Sequence, residues 1–330
     1  MNRTTMQYAV GVSRLRKTYP GGVRALDELS FAVEAGTIFA LLGPNGAGKT
    51  TTLRILTTLT RPDHGEARVA GCDVLREPDR VRRTIGVVAQ RSGVDREATG
   101  RENLMLQGRL YDLGGRELKR RVQELLDRFG LAEAGERVAS GYSGGMQRRL
   151  EIAMGLVHRP QVLFLDEPTT GLDPQARALL WEEIARLAGE DCLTIVLTTH
   201  YLEEADRLAG KLAIVDRGRV VAGGSPEKLK GELRGDAVHV ELGDSEANGR
   251  AQAALGPVPG LSELVVDGTA LRARADNGAA AVPAALAALE AAGVRVAAVT
   301  VARPSLDDVY LRYAGRAFGV ADRHEMEVSR

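Results

Sequence analysis

The sequence predicts an α/β protein in two parts, a large layered domain with a mainly parallel sheet and a smaller α+β domain after it. A glycine-rich turn at residues 43–50 follows the apolar run 37–42, and further short apolar runs alternate with helical stretches. Strands that alternate with helices in this way form a parallel sheet covered by helices. The composition changes after about Glu232, and a chain of 330 residues can bury one large core and a second, smaller one.

The elements of the large domain follow from apolar patterning. Residues 8–71 alternate short apolar strands with turns, and a helix is expected over 50–59 and a strand over 85–89. Residues 99–131 look helical, with apolar side chains on one face at Leu118, Val122, Leu125, Leu126 and Phe129. The continuous apolar runs 162–165 and 193–197 suit strands buried on both faces of a parallel sheet.

The smaller domain is predicted as strand 237–242, helix 246–255, strand 262–267, strand 269–275, helix 279–292 and strand 294–302. Asp267-Gly268 between the middle strands is a strong hairpin signal. The order βαββαβ is that of the ferredoxin-like split βαβ unit. A last helix over 305–313 begins with a capping pattern, Ser305 followed by Asp308. Residues 315–330 are polar and charged and are expected to form a flexible tail.

The composition limits the classes of function. The 44 basic residues balance the 44 acidic ones, so no overall charge favours nucleic acid or an acidic membrane surface. Cys72 and Cys192 lie far apart without metal-ligand spacing and are expected to be core thiols in a reducing compartment. We see no apolar signal segment and no run near the ~18 apolar residues that cross a bilayer. We therefore expect a soluble chain, with any membrane span supplied by a partner.

Residues 43–50 read GPNGAGKT and match the G-x-x-x-x-G-K-[ST] phosphate loop. Glycines let backbone N–H groups surround phosphate oxygens, and the helix that begins here turns its positive end toward the same anion. Lys49 can reach the outer phosphates, and the hydroxyl of Thr50 suits Mg²⁺. A chance glycine turn is the alternative, which the flanking strand and helix disfavour. The nucleotide-binding residues expected from this segment are Gly43, Pro44, Asn45, Gly46, Ala47, Gly48, Lys49, Thr50 and Thr51.

Asp166 and Glu167 directly follow the strand predicted at 162–165. Ligands of an open parallel sheet bind beyond the carboxyl ends of its strands, which places this pair beside the phosphate loop. Asp166 can then ligate Mg²⁺ with a hard oxygen, and Glu167 can polarise a water for attack on the γ-phosphate. A solvated turn is the alternative for two carboxylates at a strand end, and the phosphate loop upstream favours the functional interpretation.

The segment YSGGMQ, residues 142–147, precedes a helical run at 148–158. Ser143, Gly144 and Gly145 offer a hydroxyl and N–H groups at a helix N-terminus, which is a second anion-binding site. Arg148 and Arg149 are expected on a solvated helix face, with contact to nucleotide or a partner as the alternative.

Five motifs in this order resemble the ATP-binding subunit of an ABC transporter over about residues 8–232: GPNGAGKT, YSGGMQ, VLFLDEP, the turn Gly171-Leu172-Asp173, and TTH ending at His200. The resemblance implies an ABC-type P-loop ATPase domain over 1–232 with a helical subdomain over about 96–157, and an accessory domain over 236–314. In that family two such domains pair head to tail around two ATP molecules. Each ATP lies between the phosphate loop of one subunit and the YSGGMQ helix of the other, and Mg²⁺ accompanies it.

The resemblance also implies individual roles. Tyr19 would stack on adenine, Gln90 would sense Mg²⁺ and the attacking water, and Asp173 would organise the dimer interface. His200 would hold the γ-phosphate and orient the catalytic Glu167. Each role has a structural alternative: Tyr19 could cover a sheet edge, and Gln90 and His200 could be polar strand ends.

The segment YSGGM departs from the commonest form, LSGGQ, at Tyr142 and Met146. This form, the single nucleotide-binding domain and the segment PSLDDVYL at 304–311 resemble the daunorubicin/doxorubicin-resistance ATP-binding subunits of drug exporters. We expect an ATPase that energises a separate permease from the cytoplasmic face of the membrane, for export of a hydrophobic drug or antibiotic. The alternatives are another cargo (lipid, polysaccharide, ion or peptide), a non-transport ABC protein acting on ribosomes or DNA, and a module that binds ATP without hydrolysis. The C-terminal domain is either a dimer-stabilising appendage or a regulatory contact.

Overall fold

The computed structural model describes residues 8–233, 235–244 and 247–315. Among these, residues 8–225 form one compact unit and residues 226–315 a second. The division precedes the predicted boundary at 232 because the helix Pro226–Gly231 packs against the last helix, Leu306–Ala314, within the second unit. The tail predicted at 315–330 lies outside the described residues beyond Gly315.

The first unit contains two sheets and the helices between their strands. Its strands are β1 (Tyr8–Tyr19), β2 (Val23–Glu34), β3 (Ile38–Leu42), β4 (His64–Val69), β5 (Cys72–Asp73), β6 (Ile85–Val88), β7 (Val162–Asp166), β8 (Thr194–Thr199), β9 (Lys211–Asp216) and β10 (Arg219–Gly224). Its helices are α1 (Lys49–Leu56), α2 (Pro78–Thr84), α3 (Gly100–Leu110), α4 (Gly115–Arg128), α5 (Gly144–Leu156), α6 (Pro174–Asp191) and α7 (Leu202–Leu208).

The larger sheet has the order β10-β9-β3-β8-β7-β6 and is parallel except for the pair of β9 and β10. Every residue of β3, β7 and β8 is buried, as the continuous apolar runs predict. Leu42 lies opposite Thr199, and Asp166 lies opposite Thr198, so the three strands end at one edge. A second, antiparallel sheet has the order β2-β1-β4-β5.

Helices α3, α4 and α5 lie within the stretch predicted as a helical subdomain and pack against one another. The predicted helical stretch 99–131 is two helices rather than one, because the chain reverses at Asp112 and Gly115, both with φ of 60°. Thr99 begins α3 with a capping box to Glu102. The apolar face predicted for 118–129 is confirmed, since all five of its side chains are buried.

The second unit contains α8 (Pro226–Gly231), β11 (Asp236–Leu242), α9 (Asn248–Leu255), β12 (Leu261–Asp267), β13 (Ala270–Ala275), α10 (Gly278–Ala291), β14 (Val296–Ala302) and α11 (Leu306–Ala314). Its sheet has the order β12-β13-β11-β14 with every neighbouring pair antiparallel. Leu255 and Leu289 from the helices and Val240 and Leu271 from the sheet share one core. The ferredoxin-like order is therefore confirmed, and Ser305 caps α11 as predicted.

Two further expectations bear on where the chain can act. In the described part of the chain, no helix is long and apolar enough to cross a bilayer. Cys72 is buried, whereas Cys192 is exposed, so the prediction of two core thiols is wrong for Cys192. Cys192 ends α6 with a left-handed φ of 52°, at the surface turn that leads into β8.

Candidate active site

The phosphate loop leaves the end of β3 and enters α1 at Lys49. A Cβ on Gly43 would lie 2.3 Å from the carbonyl oxygen of Val215, and one on Gly48, whose φ is 105°, would lie 2.5 Å from that of Ala25. Both positions therefore require glycine for the packing of the loop as well as for access of an anion to its N–H groups. Pro44 and Ala47 are buried, Asn45 and Gly46 are exposed at the tip, and Thr51 is half-buried.

The side chain of Lys49 is buried across the base of this loop. Its Nζ donates hydrogen bonds to the carbonyl oxygens of Gly43 at 2.6 Å and Pro44 at 2.9 Å. It also lies 3.6 Å from Oε1 of Glu167. The loop thus carries a desolvated positive charge, which attracts an anion more strongly than an exposed lysine does.

Thr50 and Asp166 meet between α1 and β7. Oγ1 of Thr50 lies 3.3 Å from Oδ1 of Asp166, and the Thr198 hydroxyl donates to the same oxygen at 2.6 Å. Burial raises the pKa of Asp166, and the hydrogen bond from Thr198 opposes that shift. A hydroxyl and a carboxylate are hard oxygen donors, so the chemistry of this pair fits Mg²⁺. Sequence reasoning missed Thr198, whose position opposite Asp166 follows only from strand register.

The backbone of Glu167 has a φ of 47°, in the left-handed region that a glutamate rarely adopts. Its N–H donates to the Thr198 hydroxyl at 3.0 Å, which holds the turn. Such strain persists only where the surroundings impose it, and it often accompanies function. Here it turns the carboxylate back toward the phosphate loop rather than into solvent, and the side chain is 8% exposed.

Four side chains surround that carboxylate. Oε1 lies 3.3 Å from Nδ1 of His200 and 3.6 Å from Nζ of Lys49. Oε2 accepts from Nε2 of Gln90 at 3.4 Å and from the Thr170 hydroxyl at 3.3 Å. Burial raises the pKa of Glu167, but the contact with His200 and the charge of Lys49 outweigh it and hold the pKa below its usual value. Glu167 is therefore ionised at neutral pH and can accept a proton.

His200 and Gln90 come from the ends of two further strands of the same sheet. His200 follows β8, and its ring packs against Tyr201 with centroids 4.1 Å apart. Its Nδ1 is at ion-pair distance from Glu167 without the alignment of a directed hydrogen bond. Gln90 follows β6 and is exposed apart from its contact with Glu167. The structure thus brings Glu167, His200, Gln90 and Lys49 together.

Tyr19 lies in a different sheet, as the last residue of β1. Its ring is half-buried, with Nζ of Lys17 5.7 Å from the ring centroid. An amphipathic ring at such a strand end can stack on a flat ligand or cover the sheet edge, so its adenine role stays a prediction.

Ser143 is the N-cap of α5, and its hydroxyl accepts from the N–H of Met146 at 3.3 Å. Ser143 and Gly144 are exposed, whereas Gly145 lies so close to α6 that a Cβ there would be 3.1 Å from Cβ of Ala176. Asp173 is exposed and caps α6 by accepting from Ala176 N–H at 2.8 Å. Ser143 and Gly144, predicted to bind an anion, therefore lie at the exposed start of α5.

The expectation that Arg148 lies on a solvated helix face is wrong, because its side chain is buried. Its guanidinium pairs with Glu151 and donates to backbone carbonyls of two other segments. Arg149 is half-buried and donates to the carbonyl of Phe129 at 2.8 Å. The signal available in the sequence was Glu151, which stands three residues after Arg148 on an otherwise apolar helix face.

Glu204 on α7 is a second functional candidate that sequence reasoning missed. It is fully buried and accepts from the Thr169 hydroxyl at 2.8 Å and from Nε1 of Trp181 at 3.0 Å. Burial raises its pKa, against the opposing hydrogen bonds and the charge of Arg177. Glu204 therefore joins the helix that follows His200 to the loop that follows Glu167.

A phosphate loop at the end of one parallel strand and paired carboxylates at the end of another define a P-loop nucleoside triphosphatase. The profile of the ABC transporter family matches residues 26–170, and that of the C-terminal domain of DrrA1-3-like ATP-binding proteins matches residues 224–314. The chain belongs to the ATP-binding proteins of ABC transporters, as its motifs predict.

Relatives of the whole chain agree with this result. The daunorubicin resistance ATP-binding protein DrrA3 of Streptomyces coeruleorubidus is 46% identical over 93% of this chain and 96% of its own length. The daunorubicin/doxorubicin resistance ATP-binding protein DrrA of Streptomyces peucetius is 44% identical over 93% of this chain and 92% of its own length. The Nod factor export ATP-binding protein I of Ralstonia nicotianae is 44% identical over 67% of this chain and 68% of its own length. The predicted resemblance to the drug-resistance subgroup is therefore confirmed.

Solved structures give the same fold. The cbiO1 protein of Clostridium perfringens, part of the ABC transporter complex cbiONQ, matches with a TM-score of 0.64 at 27% identity, over 68% of this chain and 92% of its own. The ATP-binding cassette MJ0796, dimeric in a post-hydrolysis state with ADP and Pi, matches with a TM-score of 0.60 at 27% identity. The match covers 66% of this chain and 98% of MJ0796. The protein is accordingly an ATPase subunit that binds ATP and energises a membrane permease.

Proposed function

We propose that two copies of this chain clasp two MgATP molecules head to tail and power export of a hydrophobic drug or antibiotic from the cytoplasmic face of the membrane. The observation that carries the catalytic part is the buried Glu167 carboxylate, whose Oε1 lies 3.3 Å from Nδ1 of His200 and 3.6 Å from Nζ of the buried Lys49. A base, a positive charge and a polar orienting group would then surround one point. Phosphoryl transfer needs little beyond such positioning and charge.

Within one subunit, the side chain of Lys49 and the backbone N–H groups of the loop 43–51, other than Pro44, would hold the phosphates. Thr50 and Asp166 would hold Mg²⁺, with Gln90 near it. The bound ion would neutralise negative charge on the phosphate oxygens. Glu167 would take a proton from the attacking water, while His200 keeps the carboxylate turned toward it. Tyr19 would stack on the adenine ring.

The second half of each site would come from the partner. Ser143, Gly144 and Gly145 present a hydroxyl and helix N–H groups outward, and an anion is the ligand that such a helix end prefers. A γ-phosphate held by Lys49 in one subunit and by Ser143 in the other joins the two only while it is present. ATP would therefore close the dimer and hydrolysis would release it, as an ordinary population shift.

We divide the remaining roles by domain. The domain over 1–232 would bind nucleotide, and its helical subdomain over 96–157 would pass the closing motion to the permease through the Gln90 region. The ferredoxin-like domain over 236–314 would stabilise the dimer, with a regulatory contact to the permease or to the second subunit as the alternative.

The cargo is supported by the relatives named for daunorubicin and doxorubicin resistance. The relatives named for Nod factor export favour a Nod factor as the second candidate cargo. The deciding experiment is reconstitution with the permease encoded beside this chain. We expect anthracycline-type drugs to stimulate ATP hydrolysis, and a flat response to them with stimulation by another cargo would refute the drug assignment. Co-purification with ribosomes instead of membranes would refute transport altogether.

The head-to-tail arrangement is tested by crosslinking. Asn45 and Ser143 are exposed, so each can be changed to Cys in a Cys192→Ser background, with the buried Cys72 left in place. ATP in the Glu167→Gln variant is expected to give an intersubunit crosslink between the two positions. A pair that joins Asn45→Cys to Ser30→Cys, also exposed, is the matched control. Equal crosslinking of both pairs would refute the arrangement.

A further inference from the structure

Helix α5 begins at the Ser143 anion site and reaches, one turn later, two loops of its own subunit's catalytic site. The residue that makes this connection is Arg148, which is 8% exposed. Its Nε donates to the Pro168 carbonyl at 2.8 Å, and its Nη2 donates to the carbonyls of Asp166 at 3.0 Å and Glu167 at 3.3 Å. The guanidinium therefore holds the backbone that carries both catalytic carboxylates.

The same guanidinium also reaches the loop that carries Gln90. Nη1 donates to the Ala89 carbonyl at 2.9 Å, and α5 makes a second tie there, from Nε2 of Gln147 to Oγ of Ser92 at 2.8 Å. Gln90 itself contacts the Glu167 carboxylate. The two loops and the first turns of α5 line one groove of about 210 Å³, beside Glu167 and Gly144. A shift of α5 along its axis would thus move both catalytic loops together.

Glu151 completes this arrangement. It is 9% exposed and pairs with Nη1 of Arg148 at 2.5 Å. A buried arginine costs free energy unless it is paired, and the planar guanidinium can address several carbonyls at once, which an ammonium group cannot. The pair is therefore suited to a fixed mechanical link rather than to a surface contact.

We infer that Arg148 couples the two ATP sites of the dimer, because α5 touches the partner's nucleotide at Ser143 and positions its own subunit's Glu167 through Arg148. This inference rests on the proposed head-to-tail function. ATP bound to one phosphate loop draws in α5 of the facing subunit, and that helix sets the catalytic loops of the other site. Arg148 is a positioning residue and touches no substrate.

The test uses the full chain with its permease and measures ATP hydrolysis against ATP concentration. The wild type is expected to be cooperative, with a Hill coefficient above 1 and at most about 2, the number of sites. The double variant Arg148→Gln/Glu151→Gln removes both buried charges together, so that neither is left unpaired. We expect its Hill coefficient to fall to 1 and kcat to fall about 10- to 100-fold, with monomer ATP affinity unchanged.

Two companions guard against a folding defect. Arg148→Lys keeps a charge for Glu151 but cannot reach four carbonyls, so it should lose cooperativity as the double variant does. Arg149→Gln removes an equal charge from the same helix, yet its guanidinium contacts Phe129 and Gly145 rather than the catalytic loops, so cooperativity should remain. Fluorescence of Trp181, the one tryptophan of the chain, reports unfolding of each variant.

The inference is overturned if the wild type shows a Hill coefficient of 1, or if folded Arg148 variants keep wild-type cooperativity. Its failure is distinct from failure of the proposed function. If the head-to-tail dimer is wrong, ATP will not dimerise the Glu167→Gln chain, whatever stands at position 148. If only the coupling is wrong, chains that combine an Arg148 substitution with Glu167→Gln will dimerise with ATP. Chains that carry the Arg148 substitution and keep Glu167 will then hydrolyse ATP as cooperatively as the wild type.

Discussion

Glu167→Gln is the substitution that most directly examines the catalytic geometry. The change keeps the volume of the side chain and its Cβ, so the left-handed φ of 47° is no more strained than before. The amide oxygen can still face Lys49, which also keeps its two backbone acceptors at Gly43 and Pro44. The nucleotide site should therefore persist, while the group that takes the proton from water is removed.

The expected effects on turnover and on ATP affinity follow from the loss of the base and from the retained nucleotide site. Loss of a general base costs roughly 10²- to 10⁴-fold in turnover, so we expect hydrolysis to fall at least about 100-fold. ATP affinity should stay equal or become tighter, because a negative charge 3.6 Å from Lys49 no longer competes with the phosphates. The bound nucleotide should then accumulate in a closed dimer.

Turnover is measured as phosphate release at saturating MgATP, and ATP affinity by titration with a fluorescent nucleotide. Sedimentation with ATP measures accumulation of the closed dimer. Glu203→Gln makes the identical change at the exposed neighbour of Glu204 and should behave as wild type. Turnover of Glu167→Gln within a few-fold of wild type would refute the assignment of Glu167 as the base. Weakened ATP binding would instead show that the carboxylate organises Lys49.

Four further predictions concern other parts of the site. Lys49→Ala should raise the Kd for ATP at least about tenfold by equilibrium titration, because a charge-assisted contact contributes about 1.5–3 kcal/mol; unchanged affinity would exclude its phosphate role. Ser143→Arg should leave ATP binding by the monomer intact but abolish ATP-driven dimers of the Glu167→Gln chain in sedimentation. His200→Ala should move the acid limb of the pH–kcat profile to higher pH, because contact with His200 helps hold the pKa of Glu167 below its usual 4.5. An acid limb at the same pH as in the wild type would contradict this. Glu204→Gln should stabilise the chain relative to wild type near about pH 7 and not near about pH 3, measured by denaturant unfolding. Burial raises the pKa of Glu204, so the wild type loses stability as pH rises from the unfolded-state pKa toward the folded one.

Local patterning was sufficient for most of the fold. The strands β3, β7 and β8 were predicted because burial on both faces leaves continuous apolar runs, and the βαββαβ order because a hairpin signal separates two regular strand and helix pairs. The break between α3 and α4 was missed. It depends on left-handed residues at Asp112 and Gly115, and neither interrupts the apolar spacing that suggested one helix.

The site was predictable where its chemistry resides in motifs and unpredictable where it depends on strand register. Thr198 binds Asp166 and orients Glu167 because β8 lies beside β7 in one particular alignment. The prediction of a solvated Arg148 is wrong because four of its partners are backbone carbonyls of distant segments, which leave no sequence pattern, and Glu151 is its one side-chain signal. Tertiary hydrogen bonds of this kind override the prior that arginines lie at the surface.

Of the two departures of this chain from the commonest LSGGQ sequence, the one at Tyr142 has a structural explanation. Tyr142, which stands in place of leucine, is buried, and its hydroxyl donates to the Ala134 carbonyl at 2.7 Å. A Cβ on Gly100, the first residue of α3, would lie 2.2 Å from that hydroxyl, so the tyrosine requires glycine there. The change thus lies on the inner side of the turn, while Ser143 and Gly144 remain exposed on the outer side. Tyr142 thus packs between the Ser143 turn and α3, so residues 142 and 100 should be exchanged together when this segment is compared with LSGGQ.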